Sequence, residues 1–303
     1  MDNMVERLMT LLDLERLEED LFRGESRNIV GRRVFGGQVL GQALVAAGRT
    51  VPEERSPHSL HAYFLRGGDT EAPIIYEVER ARDGGSFSTR RVVAIQHGRP
   101  IFNLSASFQV QETGLDHQIS MADVPAPETL ETELEVLARY EDRMPPRSRK
   151  ALEALKPIEI RPVDPEHPLE PKRKDPAIRH AWFRTAGTLP DDPLLHMALL
   201  AYASDFRLLG TSLLPHARTV YQGGIQMASL DHAMWFHRPL RMDDWLLYTM
   251  ESPSASNGRG FNLGHIYSRE GVLLSSVTQE GLIRPVEEAR KPDPQEESLP
   301  QGG

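Results

Sequence analysis

The residue best placed to do chemistry in this sequence is Asp205, a carboxylate set in the apolar run Leu194 to Leu209. Taking an ionised carboxylate out of water is costly unless it is hydrogen-bonded or used. Its helical neighbours three and four positions away, Ala201, Tyr202, Leu208 and Leu209, include no cation, and Arg207 would face away. Two readings stand: an acid satisfied by backbone or a tyrosine hydroxyl, or a general base. Other constellations fail more plainly. With no cysteine in the chain there is no disulfide, no zinc-thiolate site and no cysteine nucleophile. The nearest approach to a serine-hydrolase elbow, Gly84-Gly85-Ser86-Phe87-Ser88, ends in the wrong residue. The zinc-protease pattern His-Glu-x-x-His is absent, and Asp231, His232 and His237 would point to both faces of a strand, so no metal is expected. His58 and His61, just before Tyr63, suit structural roles, with His58 kept as a minor candidate base.

The elements that must position Asp205 follow from periodicity. Met1 to Phe22 alternates leucines with acids and reads as an amphipathic helix without the character of a secretory signal. Phe35 to Ala47 has helical spacing and no charge, as expected of a helix enclosed on several sides, and its Gly37-to-Gly41 spacing suits close helix packing. The uncharged run Val34 to Gly48 is too short to cross a bilayer, which takes roughly 20 apolar residues, so a cytoplasmic protein is expected. Strand-like runs follow at Ser59 to Leu65, Ile74 to Arg80, Ser86 to Gln96 and Pro100 to Gln111, divided by glycine turn signals. The pattern then returns, with a helix over Pro193 to Leu209 and strands at Ser229 to His237, Trp245 to Ser252, Gly260 to Ser268 and Val272 to Ile283. Between them, Leu115 to Ile178 is proline-rich, carries an acidic helical stretch near Thr129 to Tyr140, and reads as a connector. The expected organisation is 1–114, a first repeat with its leading helix; 115–178, a linker; 179–286, a second repeat carrying the catalytic residues; and 287–303, a flexible tail.

The halves share more than an order of elements. Ser59-Leu60, His61-Ala62 and Phe64 are echoed by Ser229-Leu230, His232-Ala233 and Phe236, and Phe87 and Gly98 by Phe261 and Gly271, at nearly constant offset. An internal duplication follows. Each unit is too thin to cover both faces of its own sheet, so the two sheets should pair edge to edge and wrap their helices in a shared core. Because the first helix holds no acid from Val34 to Gly48, the chemistry is expected in the second repeat alone, with one site per chain. The formal charge of −9 argues against a nucleic-acid binder, which needs a concentrated basic footprint.

Val34-Phe-Gly-Gly-Gln-Val-Leu-Gly-Gln-Ala43, His61-Ala-Tyr-Phe-Leu-Arg66 with Asp69, Asp83-Gly-Gly-Ser-Phe-Ser88, Leu200-Ala-Tyr-Ala-Ser-Asp205, Ser229-Leu-Asp-His-Ala-Met-Trp-Phe-His-Arg-Pro239 and Gln279-Glu-Gly281 together resemble the acyl-CoA thioesterase II family. The resemblance runs from about Leu14 to Arg284. It implies an α+β double hotdog, two repeats each with an antiparallel sheet wrapped around a long central helix. It also implies hydrolysis of acyl-CoA, medium to long chains included, to fatty acid and coenzyme A without a metal or other cofactor. The family's catalytic acid, hydroxyl and amide would fall on Asp205, Ser229 and Gln279. Ser229 stands where Thr is common, keeping the hydroxyl, and Gly67 where Pro is common, a change of loop stiffness.

On this reading the three side chains hold one water, and Asp205 draws off its proton as it attacks the thioester carbonyl. Arg80, Arg82, Arg90, Arg91, Arg99, Lys172, Arg173 and Lys174 are available to coenzyme A's phosphates, and Met227, Met234, Trp235 and Phe236 to line an acyl tunnel. A hotdog hydratase or dehydratase, for which Asp231-His232 is the adjacent acid and histidine, and a non-catalytic acyl-CoA-binding protein are the alternatives. Exposed sheet edges suggest a homo-oligomer, dimer or tetramer, with no membrane partner.

Overall fold

The computed structural model describes residues 2–28, 33–145 and 157–286. Helix α1 (Asp2–Leu12) buries Val5, Leu8, Leu11 and Leu12, the spacing of a one-sided apolar stripe. The helix expected to continue to Phe22 instead stops there. A hairpin follows, β1 (Glu15–Glu18) and β2 (Leu21–Gly24), because β2 finds a ladder partner in a distant strand and Phe22 becomes fully buried against the core. Tertiary pairing outweighs local propensity in this segment.

Two helices form the interior. In α2 (Gly36–Gly48) every residue from Gly37 to Ala47 is buried, as is every residue from His196 to Ser204 of α4, which spans Pro193–Ser204. The Asp192 side chain caps α4 by accepting from the Leu194 and Leu195 amides, with Pro193 at the first helical position. The helices run antiparallel in close contact, Gly37 against Tyr202 and Gly41 against Ala198. A Cβ at Gly37 would run into the Tyr202 carbonyl, and one at Gly41 would sit 3.0 Å from that of Ala198, so glycine permits this approach.

Around them wrap β3 (Arg55–Phe64), β4 (Ile74–Asp83), β5 (Phe87–Gln96) and β6 (Arg99–Val110) from the first half. The second half supplies β7 (Ile158–Pro162), β8 (Ile178–Thr185), β9 (Ile225–Ser229), β10 (Asp231–Phe236), β11 (Leu246–Ser256), β12 (Arg259–Ser268) and β13 (Leu273–Pro285). They form one antiparallel sheet in the order β1-β2-β4-β5-β6-β3-β10-β13-β12-β11-β8-β7, with β9 also on β13. Outward from the β3–β10 junction, β6, β5, β4, β2 and β1 on one side match β13, β12, β11, β8 and β7 on the other. The duplication expected from sequence is therefore present strand for strand. The junction is edge to edge, from Asp231 opposite Tyr63 to Trp235 opposite Ser59.

Two details differ from the sequence pattern. The echo of His61 by His232 is not structural equivalence, since His61 is exposed and His232 buried: the extra Asp231 shifts the alternation by one residue, which reverses the face. The 115–178 stretch holds α3 (Glu133–Ala138), closed by a Thr132–Glu135 capping box, and also β7, which pairs with β8 at the sheet's outer edge. The tail read from Glu287 lies outside the described residues.

Candidate active site

Helix α4 ends at Ser204, and Asp205 is its C-cap. Gln279 reaches in from β13, fully buried, and Ser229 is the last residue of β9. The Gln279 Nε2 donates to Asp205 Oδ1 at 2.6 Å and to Ser229 Oγ at 3.0 Å, while Ser229 Oγ donates to Asp205 Oδ1 at 3.3 Å. The three side chains singled out from sequence thus converge on one point, 74 residues apart at the widest. A fourth contact went unread. The backbone N–H of Gly37, in the other repeat, donates to Asp205 Oδ2 at 3.0 Å.

That contact explains why an acid tolerates this place. The start of α2 has no side-chain cap of its own, since its N-cap is Phe35, and Asp205 supplies the missing acceptor from the neighbouring helix. A carboxylate at a helix N-terminus also meets the positive end of the macrodipole. Burial raises the Asp205 pKa above its ordinary value, and the hydrogen bonds from Gln279, Gly37 and Ser229 hold it back only in part. The sequence did carry a trace of the contact in Gly36-Gly37: a Cβ at Gly36 would lie 2.7 Å from Asp205 Oδ2. A backbone donor has no residue type, so spacing alone could not assign it.

Ser229 reaches the acid because the strand is bulged beyond it. Strand β13 pairs Gly281 with Ser229 and then Thr278 with Ala233, leaving one more residue on the β9–β10 side than on β13. At the bulge, Leu230 N–H donates to the Glu280 carbonyl at 2.9 Å, and the Glu280 N–H, lacking a strand carbonyl, donates to Asp231 Oδ1 at 2.7 Å. Asp231 thereby pins the chain between Ser229 and Gln279. Below, Ser204 Oγ contacts His232 Nε2 at 2.9 Å and Tyr248 OH donates to the Ser204 carbonyl at 3.0 Å, fixing the helix end that presents Asp205. Phe35 packs on Tyr202 and Phe206 and, with Phe64 beside Gly36, gives the site an aromatic wall.

Other sequence candidates lie elsewhere. Asp231 and His232 face opposite sides, and burial pushes the His232 pKa down to about 3, so this pair assembles no acid–base couple. His58 contacts Ser107 and Phe87, away from the acid. Trp235 stacks edge-on with His61 on the outer face and so lines no interior tunnel, whereas Met234 is buried beside Ser204. Arg207 turns away from Asp205 through a positive φ and pairs with Glu133. Of the cations considered for coenzyme A, Arg80, Arg91, Arg173 and Lys174 pair with Glu or Asp, and Arg90 is buried. Among the described residues no cluster of three His, Cys, Asp or Glu could hold a metal, and no helix is long and apolar enough to cross a membrane.

The model of the acyl-CoA thioesterase family matches residues 154–282, and that of the acyl-CoA thioesterase N-terminal domain matches residues 25–109. Acyl-CoA thioesterase 2 of Haemophilus influenzae is 43% identical over 94% of this chain and 99% of its own length. The chain belongs to the acyl-CoA thioesterase II family. Among solved structures, an acyl-CoA thioesterase II, TesB2, from Mycobacterium marinum superposes with a TM-score of 0.76 at 43% identity, covering 92% of this chain and 98% of that one. A hot dog fold protein from Alicyclobacillus acidocaldarius, at 19% identity, gives a TM-score of 0.74 over 92% of this chain and 98% of that one, a likeness of fold. As a member of this thioesterase family the chain is a double hotdog, and its acid, hydroxyl and amide lie where the two repeats meet.

Proposed function

We propose that this chain hydrolyses medium- to long-chain fatty acyl-CoA to the free acid and coenzyme A. Asp205 acts as general base on a water that Ser229 and Gln279 help to hold. The water oxygen bonds to the thioester carbonyl carbon as its proton passes to Asp205; the tetrahedral intermediate then collapses, the carbon–sulfur bond breaks, and the thiolate leaves and takes up a proton. One preorganised donor to the developing oxyanion is worth roughly 3 to 4 kcal/mol. Thiolate leaves readily, so no acyl-enzyme is needed.

The observation that carries this reading is the carboxylate itself: it accepts from Gln279, Ser229 and Gly37, has no cation beside it among the described residues, and has a pKa raised by burial, which makes it a stronger base than an ordinary Asp. The aromatic wall of Phe35, Phe64, Tyr202 and Phe206 suits an apolar acyl group. We place the chain in the cytoplasm as a dimer or tetramer of identical subunits, and take 1–114 and 179–286 as its repeats. The test is thiol release across a series of saturated acyl-CoAs from short to long. Release rising toward the longer chains, with no change in acyl unsaturation, supports the reading; absence of release at every length overturns it.

A further inference from the structure

Resting on that reading, we infer that Arg33, Arg66 and Arg99 form the seat for the phosphates of the coenzyme A moiety. Other exposed arginines, among them Arg7, Arg16, Arg82 and Arg218, also lack an acid partner among the described residues, so place rather than pairing alone sets these three apart. In a chain with 44 acidic against 35 basic side chains, most arginines have found a carboxylate, as Arg80, Arg91, Arg238, Arg241 and Arg269 show. Arg33, Arg66 and Arg99 are exposed, and none pairs with an acid among the described residues. They also share one place. Arg33 forms a bridge to Asp69, and Val34 N–H donates to the Gly68 carbonyl at 3.0 Å, so the loop after β3 runs beside the segment that leads into α2. The Arg33 side chain lies across Gly67, where a Cβ would stand 2.7 Å from its Nε. Arg66 donates through Nη1 to the Pro100 carbonyl at 2.6 Å, next to Arg99, which leaves the rest of its guanidinium unengaged among the described residues.

The acids in this neighbourhood do not cancel the charge. Asp69 accepts from the Glu71 N–H at 2.9 Å and contacts His97 Nε2 at 2.9 Å, and Glu71 is exposed. Three and four residues on from Arg33 the same segment supplies Gly36 and Gly37, the latter donating to Asp205, and two residues before Arg66 stands Phe64, whose ring faces Gly36. Both approaches to the catalytic carboxylate from the first repeat therefore begin at an unpaired arginine. Coenzyme A carries its phosphates at the end remote from the thioester, so a ligand with its acyl carbon at Asp205 and its nucleotide outside needs cations at the mouth. Planar guanidinium groups with free donors suit phosphate oxygens.

The experiment compares the wild type with the triple variant Arg33→Gln/Arg66→Gln/Arg99→Gln on two thioesters of one fatty acid: the CoA ester and the N-acetylcysteamine ester, which has no phosphate. The variant is expected to raise KM for the CoA ester roughly tenfold or more at unchanged kcat, while kcat/KM for the short thioester stays within about twofold. Calorimetric titration with coenzyme A alone separates the seat from catalysis: its affinity falls by a similar factor in the variant whether or not either ester is hydrolysed. Titration with 3′-dephospho-coenzyme A locates the contact. The same loss of affinity in the variant assigns it to the diphosphate, and a vanished difference to the 3′-phosphate. Equal coenzyme A affinities in wild type and variant, or an equal fall on both thioesters, overturn the inference.

Discussion

The two central helices end in opposite ways. Helix α4 ends at Asp205, and α2 at Arg49, whose guanidinium turns outward to Asp13 and the Leu14 carbonyl. The sheet follows suit. In the second repeat Asn262 faces Gln279 across the β12–β13 ladder, whereas at the corresponding place beyond the hairpin tip of the first repeat Arg90 faces Ala106. Arg90 is 1% exposed and is satisfied entirely from within, by the Thr50 hydroxyl and carbonyl at 2.9 Å each and by Asp83 at 2.8 Å. The helix starts differ too: α4 is capped by its own Asp192, while α2 borrows Asp205. One end of the duplicated fold has thus closed its polar accounts locally, and the other keeps a carboxylate without a counter-ion among the described residues and a helix start without its own cap. Local rules are broken at the end where we propose the chemistry takes place.

Substitutions can break the comparison. The largest effect is expected from Asp205→Asn, which keeps shape but removes the base: kcat should fall by about 10²- to 10⁴-fold with an unchanged circular dichroism spectrum, and full activity would remove Asp205 from the mechanism. In the wild type the base must be ionised and its pKa is raised, so the acidic limb of kcat/KM should lie above the ordinary aspartate range and vanish in this variant. Gly37→Ala, whose Cβ would meet the Tyr202 carbonyl, should part the helices at the working end, costing about 1 to 3 kcal/mol in denaturant unfolding and lowering kcat as well.

Asp231 sharpens the contrast, because it staples the strand beside the proposed pair of Ser229 and Gln279. Asp231→Ala strands the Glu280 N–H and should lower kcat about tenfold, corresponding to roughly 1.4 kcal/mol, with little change in KM. Asp231→Asn, which can still accept that hydrogen bond, should restore most of the rate; failure of the rescue would show that the bond does not position the site. The smallest effect on activity is expected at the end of the first repeat away from Asp205. Arg90→Met should lower stability by about 1 to 3 kcal/mol through the unpaired Thr50 and Asp83 groups, measured by urea unfolding, while kcat stays within about twofold.

Much of this contrast was legible in the residues. A helix-spaced apolar run in each half, four alternating runs after it, and a single acid at the end of the second helix suffice to set Asp205 apart in a duplicated framework. The β1–β2 hairpin was not legible, because the exposed Glu15–Glu18 and the short β2 acquire strand form only through β4. Nor was the inequivalence of His61 and His232, which rests on one inserted residue and the strict alternation of a strand.

The amino-acid order by itself determined most of the segments that bury and that Asp205 is an acid in an apolar run, since burial periodicity and residue type are local properties, while the family resemblance of its motifs singled out Ser229 and Gln279. Only the tertiary structure decided that the acid is held by the first repeat. The Gly37 amide lies 168 residues away and reaches Asp205 because two glycine-bearing helix faces pack antiparallel, and a hydrogen bond from backbone leaves no mark of its own in the sequence.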